Sequence, residues 1–406
     1  MNFSPFTAKI LHKCSMPINY QEVYTQIKRI GEGAQERRKK KEEAQASARH
    51  LLVFYDSKLD ELRSKVDSAK GADSNIRCAV PLDENLASRF AHPAPDSAIQ
   101  ATLIAADGSQ IVPNRHEALQ YYVINVGAIA VQIGSGNTPE VETDTKIRLL
   151  DEFDDTYFSD SQVALQRDVA ERKKLLEMSE KHSGTVIALT EGQLELWGSI
   201  DNENAREFEK SLNDYLHTLE EMRQKRVIAG GYVDKPGANW VVKLLEIAGT
   251  PQDELKNIRK SRLLAGVTDL WLFSQILGRH ERSAVFALQA KSVEKYKGAL
   301  GIHFFYINVG DAKHPKIARV DVPLWVAEDP SMLNDLHSVL VGQSMIMGHA
   351  PFPYALHRAH EIAVVTHLEK EEIDRLLSRD ILSSGGELGE KSGKQSAKDL
   401  KGKTRR

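Results

Sequence analysis

The sequence is poor in cysteine and has no long apolar stretch. Only two cysteines occur among 406 residues, Cys14 and Cys78, and they form no C-x-x-C pattern. This excludes a thiolate zinc site and a disulfide framework, and it suits a reducing compartment. No apolar run approaches the roughly 18 residues that a membrane helix needs, and the N-terminus lacks the layout of a signal peptide. We therefore expect a cytoplasmic protein without a membrane span.

The chain also lacks a strong excess of charge of one sign. It has 54 basic and 57 acidic residues, for a net charge of −3. Such a balance does not by itself indicate a nucleic-acid-binding protein, but binding along a phosphate backbone needs only a local stripe of basic residues. Basic residues do cluster at 37–41 and again after residue 391. Each cluster is either a solvated surface or a contact to phosphate, and the sequence leaves both interpretations open.

Nucleotide-binding loops are missing as well. There is no Walker lysine, which argues against an ATPase. The glycines of the 134–136 segment, Gly-Ser-Gly, are not followed by the helical pattern that a dinucleotide loop needs. We interpret this segment as a hairpin turn.

The periodicity of apolar residues divides the chain into three parts. Residues 1–96 are predicted to be a helical arm (20–68) outside the main core, followed by a Pro- and Gly-containing linker. Residues 97–382 form the main folded domain. Residues 383–406 are rich in Gly, Ser and Lys and are predicted to be a disordered basic tail.

Within the main domain, strand and helix patterns alternate, which indicates an α/β fold with a mixed sheet. The predicted strands are 103–106, 121–133, 186–189, 227–233, 284–288, 303–309 and 317–322. The predicted helices are 161–179, 202–226, 240–247, 269–277, 331–347, 354–366 and 371–378.

Three acidic residues stand at positions where this order of elements would bring them together. Asp107 ends the first strand, Glu171 lies on the following helix, and Glu191 ends the next strand. Adjacent parallel strands place their carboxyl ends side by side, and a helix across that edge can supply a third carboxylate. Carboxylates gathered in this way repel one another unless cations lie among them, which implies divalent metal. This is the design of RNase H-like nucleases, although each residue alone is more simply a turn or surface residue.

Several ordered motifs resemble the NurA-domain nuclease family. They are IAADGSQ (104–110), LQRDVAER (165–172), VIALTEGQL (186–194), GYVDKP (231–236), IARVDVP (317–323) and PYALHRAHE (353–361). The match runs from about residue 100 to about residue 380. It makes Asp107, Glu171 and Glu191 the equivalents of the metal-binding carboxylates and His360 the equivalent of the family's catalytic histidine.

The resemblance implies an RNase H-like sheet and a metal-dependent deoxyribonuclease. The expected activities are 5′→3′ exonuclease and single-strand endonuclease, on single strands and duplex ends, in end resection, repair or defence. Manganese or magnesium, as two ions, would be held by the three carboxylates and by His360. The family also implies a homodimer that works with a hexameric HerA-type ATPase and translocase.

The sequence departs from the family at two positions. Glu191 stands where the family usually has aspartate, and Phe352 stands where some members have a functional tyrosine, a role that Tyr354 would have to take over. These departures favour the alternative of a non-catalytic DNA-binding or adaptor protein with a decayed site. A minority interpretation pairs His357 with His360 as half of a zinc site.

Overall fold

The fold is built around one mixed β-sheet with helices packed on both of its faces. A computed structural model describes residues 18–91, 99–150, 159–198, 205–260, 262–311, 313–389 and 392–393. The strands are β1 (Cys78–Pro81), β2 (Arg89–Phe90), β3 (Ala101–Ile111), β4 (Tyr121–Gln132), β5 (Glu140–Leu149), β6 (Thr185–Glu191), β7 (Ile228–Val233), β8 (Arg282–Ser283), β9 (Phe286–Gln289), β10 (Ile302–Asn308) and β11 (Ile317–Pro323).

Helices precede, separate and follow these strands. They are α1 (Tyr20–Gly31), α2 (Ala34–Phe54), α3 (Leu59–Ala72), α4 (Asp160–Ser179), α5 (Ala205–Gln224), α6 (Trp240–Gly249), α7 (Asp269–Ser274), α8 (Leu324–Ala327), α9 (Pro330–Ile346), α10 (Tyr354–Ala363) and α11 (His367–Ser383). Short 3-10 segments cover Gln252–Lys260, Lys291–Val293 and Gly298–Leu300. Across the described residues, no helix combines the length and the apolar character needed to cross a membrane.

The strand order confirms the predicted RNase H-like sheet. The order along the sheet is β1-β9-β10-β11-β7-β6-β3-β4-β5, and β8 joins β2 to β10. β3, β4 and β5 form an antiparallel meander, whereas β6 and β7 run parallel to β3. The segment β5-β4-β3-β6-β7 therefore has the order and directions of the RNase H-like fold.

The edge strand β5 was not predicted from the sequence. Nine of its ten residues are exposed, and its sequence EVETDTKIRL has no apolar alternation. It pairs with β4 over ten residue pairs, and its polar surface is one that an edge strand can carry into water. The predicted hairpin turn at 134–136 precedes it, and Gly134 and Gly136 both have a positive φ.

Successive residues of β3 belong alternately to two separate hydrophobic cores, one on each face of the sheet. Ile104 and Ala106 belong to the core under α4 and α6, and Leu103 and Ala105 belong to the core under α9 and α10. This is the period of two that a strand imposes on a sheet covered on both faces. It decides which face each polar residue at the end of β3 can reach.

The N-terminal region packs more tightly on the core than the sequence predicted. Leu62 and Val66 of α3 are buried in the core, as is Leu52 near the end of α2. β1, which lies in the predicted linker, pairs antiparallel with β9 and forms one end of the main sheet path. The prediction of an arm outside the core is therefore wrong for α3 and the second half of α2. Within this N-terminal region, α1 is the described helix without a buried residue.

Two predicted segments lie wholly or mostly outside the described residues. The acidic run at 151–155 is not described, and the predicted tail at 383–406 is described only to residue 389 and at 392–393. α11 ends at Ser383, a few residues beyond its predicted end.

Candidate active site

The carboxyl ends of β3 and β6 supply the first two site residues. The parallel pairing of these strands runs to Ala106 opposite Thr190. Asp107 and Glu191 follow these two residues directly, so they lie side by side at the sheet edge. The sequence prediction that adjacent strand ends would bring these two carboxylates together agrees with the observed register.

A histidine from α10 completes a compact group with these carboxylates. His360 Nδ1 lies 2.7 Å from Asp107 Oδ2, within hydrogen-bond distance. One ligand atom from each of Asp107, Glu191 and His360 lies within 4.8 Å of the others. The Asp107 side chain is 16% exposed and that of His360 is 59% exposed; Glu191 is exposed as well, so the group opens to solvent on the side of His360 and Glu191.

The residues after Asp107 explain how α10 is held in place. Ser109 points to the same face of β3 as Asp107, and its hydroxyl donates a hydrogen bond of 2.5 Å to the Ala363 carbonyl. The side-chain amide of Asn125 donates to the same carbonyl at 2.8 Å. Because a carbonyl at a helix end has no intrahelical partner, these two bonds fix the end of α10 against β3 and β4.

A glycine in β4 allows α10 to approach this closely. Gly127 pairs with Asp107 across the β3–β4 ladder. A Cβ atom at Gly127 would lie 2.6 Å from the Ala363 nitrogen and 2.8 Å from the Ile362 carbonyl carbon. The missing side chain therefore sets the distance between α10 and the sheet, and with it the position of His360 over Asp107.

Glu171 reaches the same cleft from the opposite face of the sheet. A Cβ atom at Gly108 would lie 2.7 Å from Glu171 Oε1, so the glycine gives the α4 carboxylate its room. Glu171 lies outside the compact three-residue group. It is buried and paired with Arg172 at 2.8 Å and with Arg167 at 3.3 Å. Three of the four predicted site residues thus form one cluster, and the fourth lines the wall beside it.

Burial and neighbouring charges displace the titration of both glutamates. Burial raises the pKa of the Glu171 carboxyl to about 8, against the opposing effect of Arg172. Burial also raises the pKa of Glu191; the Asp107 carboxylate adds to this effect, and His360 opposes it. Both shifts show that negative charge is costly here, which is the condition under which a cation stabilises a carboxylate cluster.

These residues line an open cleft of about 420 Å³. Two further cleft residues were not predicted from the sequence. Arg167 lies four residues before Glu171, a spacing that places both on one side of α4 and could have been noticed. Trp197 is 57% exposed, and the guanidinium carbon of Arg77 lies 5.5 Å from its ring centroid. No pattern in the sequence marks Trp197, because it lies in the irregular segment after the end of β6 at Glu191.

His357 and Phe352, on which the zinc-site and decayed-site interpretations depend, lie outside the group of Asp107, Glu191 and His360. His357 Nε2 lies 3.5 Å from Glu361, and His357 is not part of the metal-competent group. Phe352 packs edge-on against the ring of the buried Tyr232, with 5.5 Å between their centroids.

Comparison with known protein families shows to which family the chain belongs. The NurA domain family matches residues 101–365, which is most of the chain and includes all four predicted site residues. The chain belongs to the NurA family. NurA proteins are nucleases, so the chain is a member of a nuclease family. No curated protein matches the sequence.

Solved structures share only distant similarity with the chain. The catalytic domain of human Endonuclease V is 11% identical, covers 79% of the chain with 98% of its own length, and gives a TM-score of 0.31. The Argonaute of Marinitoga piezophila is 10% identical, and the match covers 66% of the chain but 30% of the Argonaute, with a TM-score of 0.27. LC9-RNase H1 is 13% identical over 37% of the chain and 56% of its own length, with a TM-score of 0.16. The assignment to the family accordingly rests on the NurA domain match.

Proposed function

We propose that this NurA-family protein is a metal-dependent DNA nuclease acting through Asp107, Glu171, Glu191 and His360. The observation that carries the proposal is the grouping of Asp107, Glu191 and His360 ligand atoms within 4.8 Å of one another. These residues come from two strand ends and a helix, and the absent side chain of Gly127 lets the helix approach the sheet. Such convergence of distant residues is costly unless it serves a common ligand.

The chemistry of the donors fits a divalent cation. Two carboxylates supply the oxygen ligands that Mn²⁺ and Mg²⁺ prefer, and the imidazole favours the transition metal of the two. Bound there as one or two ions, the metal would stabilise the attacking and leaving oxygens of a phosphodiester displacement. Glu171 would bind at the wall of the site, where Arg167 and Arg172 hold its carboxylate in place.

The rim of the cleft supports a nucleic-acid strand as the substrate. Arg167 is about one-third exposed; its guanidinium pairs with Asp168 at 2.7 Å and with Glu171 at 3.3 Å, and a phosphate oxygen would share it with these carboxylates. Trp197 presents an exposed indole at the same cleft, and an unpaired base can stack on it. This pairing of a cation with an aromatic ring favours single strands and the frayed ends of duplexes.

The direct test is cleavage of end-labelled DNA by the purified full chain. We expect Asp107→Asn and His360→Ala each to lower the rate at least about a hundredfold, roughly 2.7 kcal/mol of activation free energy. His357→Ala is the matched control, since it removes a histidine one helical turn away that lies outside the cluster. Chelator should abolish cleavage and Mn²⁺ should restore it, while calorimetry follows Mn²⁺ binding independently of activity.

Two outcomes would overturn the proposal. Cleavage that continues undiminished in chelator would exclude the metal-dependent mechanism. An absence of cleavage on single-stranded, duplex and RNA substrates with either metal would favour the non-catalytic DNA-binding protein instead.

Kinship alone supports the finer expectations about activity and assembly. We propose 5′→3′ exonuclease and single-strand endonuclease activities for a cytoplasmic homodimer that works with a hexameric HerA-type ATPase. Light scattering would measure the dimer. Cleavage of substrates labelled at the 5′ or the 3′ end would give the polarity, and a labelled 3′ end released first would contradict it.

A further inference from the structure

A second cleft, of about 380 Å³, opens at the same sheet edge as the candidate active site. Its walls come from the turn before β8, the β10–β11 loop and the segment between α9 and α10. We call it the basic cleft; its basic side chains are Arg279, His280, His314, Lys316 and His349. Because β11 runs antiparallel to β7, the start of β11 lies at the edge where β3, β6 and β7 end.

Positive charge in the basic cleft is largely uncompensated. Arg279 Nε lies 3.4 Å from His280 Nε2, and among the described residues neither Arg279 nor Lys316 has a carboxylate within salt-bridge distance. Lys316 Nζ donates a hydrogen bond to the His349 carbonyl, at 3.3 Å. The one acidic residue of the lining, Asp311, lies 3.5 Å from His314. An anion entering the cleft would therefore meet two permanent cations and three imidazoles.

The loops that carry these cations are held together by one buried side chain. Asn308 is fully buried, and its amide nitrogen donates to the carbonyls of Leu277 and Gly278 at 3.2 and 3.0 Å. Its amide oxygen accepts from the backbone nitrogens of Gly310 and Lys316, both at 3.0 Å. Asn308 thus uses four hydrogen bonds to fix the turn bearing Arg279 relative to the loop bearing Lys316. The backbone positions from which the two cations extend are therefore fixed by the fold.

The backbone at His280 is strained in a way that this framework maintains. His280 has a φ of +61°, which a residue with a side chain adopts at a cost. Its nitrogen donates to the Asn308 carbonyl at 3.0 Å, and its carbonyl is 2.8 Å from His337 Nε2. A strained residue held from both sides and lining a charged cleft is characteristic of a binding site.

We propose that the basic cleft binds an internal backbone phosphate of the same nucleic-acid strand that enters the candidate active site. The inference rests on the proposed nuclease function and extends it by a second contact. Lys316 is three strands from Asp107 and about four residues further along, a separation on the order of 20 Å. At about 3.4 Å of axial rise per base step, as in a B-form stack, this corresponds to roughly six steps, and an extended single strand covers it in fewer. The cleft would hold the strand in register at a distance from the scissile phosphate.

The experiment compares the double variant Arg279→Gln/Lys316→Gln with wild type on labelled single strands of about 15 and about 3 nucleotides. Lys181→Gln/Lys225→Gln is the matched control, because it removes equal charge from exposed residues that precede β6 and β7, at the opposite sheet edge. Anisotropy in chelator gives affinity as a function of salt. Each lost phosphate contact lowers the salt slope by about 0.7 for a single strand.

For the long strand we expect the cleft variant to bind about tenfold more weakly, with a salt slope lower by roughly 0.7 to 1.4. The short strand, which cannot span both sites, should bind equally well to wild type and variant. Single-turnover cleavage of the long strand at saturating protein should remain within about twofold of wild type. The control variant should match wild type in every measurement.

An unchanged salt slope on the long strand would overturn the proposal, and so would an equal loss on the short one. A short strand whose added 5′-phosphate raises affinity for wild type but not for the variant would show that the cleft takes a terminal phosphate, which also contradicts it. If the salt slopes of wild type and the cleft variant differ as expected but wild type cleaves nothing, the proposed nuclease function is wrong and the proposed phosphate site is supported. If wild type cleaves and the slope is unchanged, the cleft proposal alone fails.

Discussion

Glu191 is the site residue whose chemistry the family resemblance leaves most open. Its side chain is longer by about 1.5 Å than that of the aspartate usual at this position. This difference matters because metals in a two-ion site lie only about 3.5–4 Å apart. We expect Glu191→Gln to lower cleavage at least about a hundredfold, because it removes the charge and keeps the shape. Glu191→Asp should retain part of the rate, and Mn²⁺ should support wild type better than Mg²⁺, whose octahedral geometry is stricter. Cleavage rates for both variants in each metal make the test, and a Glu191→Gln protein as active as wild type would remove this residue from the ligand set.

At the same scale, the sequence identified the candidate residues but not their surroundings. Asp107, Glu191 and His360 could be proposed from motif order, and they do converge. The four-residue spacing of Arg167 and Glu171 is visible in the sequence, but the buried pairing of Glu171 with Arg172 is not, because burial of α4 decides which of its many charges face inward.

Between elements, the position of α10 depends on the absent side chain of Gly127. Gly127→Ala would place a methyl group 2.6 Å from the Ala363 nitrogen, so the helix or the strand must move. We expect a loss of about 1–3 kcal/mol in the free energy of unfolding, as for overpacking. Cleavage should fall at least about tenfold as His360 moves from Asp107.

The matched control for this substitution is Gly342→Ala in α9. A Cβ atom there meets nothing within 4 Å, so alanine should be neutral or stabilise the helix by up to about 1 kcal/mol. Denaturant unfolding and cleavage rates of both variants make the comparison. A Gly127→Ala enzyme with wild-type rate would show that the approach of α10 to β4 is not needed for activity.

Elements with a clear period could be predicted, and those without one could not. α4, α9 and α10 were predicted close to their observed bounds because apolar residues recur at helical spacing. β5 was missed because an exposed edge strand needs no apolar alternation. β1 is four residues long and reads as part of a loop until its pairing with β9 is known.

For the whole molecule, the order of strands and helices predicted a mixed α/β sheet, and the family resemblance predicted that the sheet is RNase H-like. The packing of the N-terminal region on that sheet was not predictable in the same way. In α2 the buried residues are Ala44, Ala48 and Leu52, and alanine at four-residue spacing is a weak apolar signal in a helix dense in charge. Whether 1–96 folds as a unit separate from 97–382 stays a prediction.

We expect the free energy of unfolding to depend on pH through one carboxyl that is buried between the helices and the sheet. Asp269 is fully buried; it accepts hydrogen bonds from the Val241 and Val242 nitrogens and from the Tyr306 hydroxyl. Burial nevertheless raises its pKa from 3.8 to about 6, against these hydrogen bonds. Since the folded-state pKa lies above the unfolded one, this group favours the folded state fully below about pH 4, and the contribution is lost as pH rises through about 6.

The displacement from 3.8 to about 6 corresponds to roughly 3 kcal/mol across this window. Asp269→Asn keeps one of the two acceptor oxygens and cannot titrate. The loss of the other acceptor does not depend on pH, so the pH dependence of the difference from wild type isolates this carboxyl from every other titrating group. We expect the stability advantage of wild type over Asp269→Asn to shrink by a few kcal/mol between about pH 4 and pH 7. Guanidinium unfolding of both proteins at several pH values measures this difference directly. An advantage that grows with pH would mean that the amides of α6 and the Tyr306 hydroxyl outweigh burial and hold the carboxyl ionised.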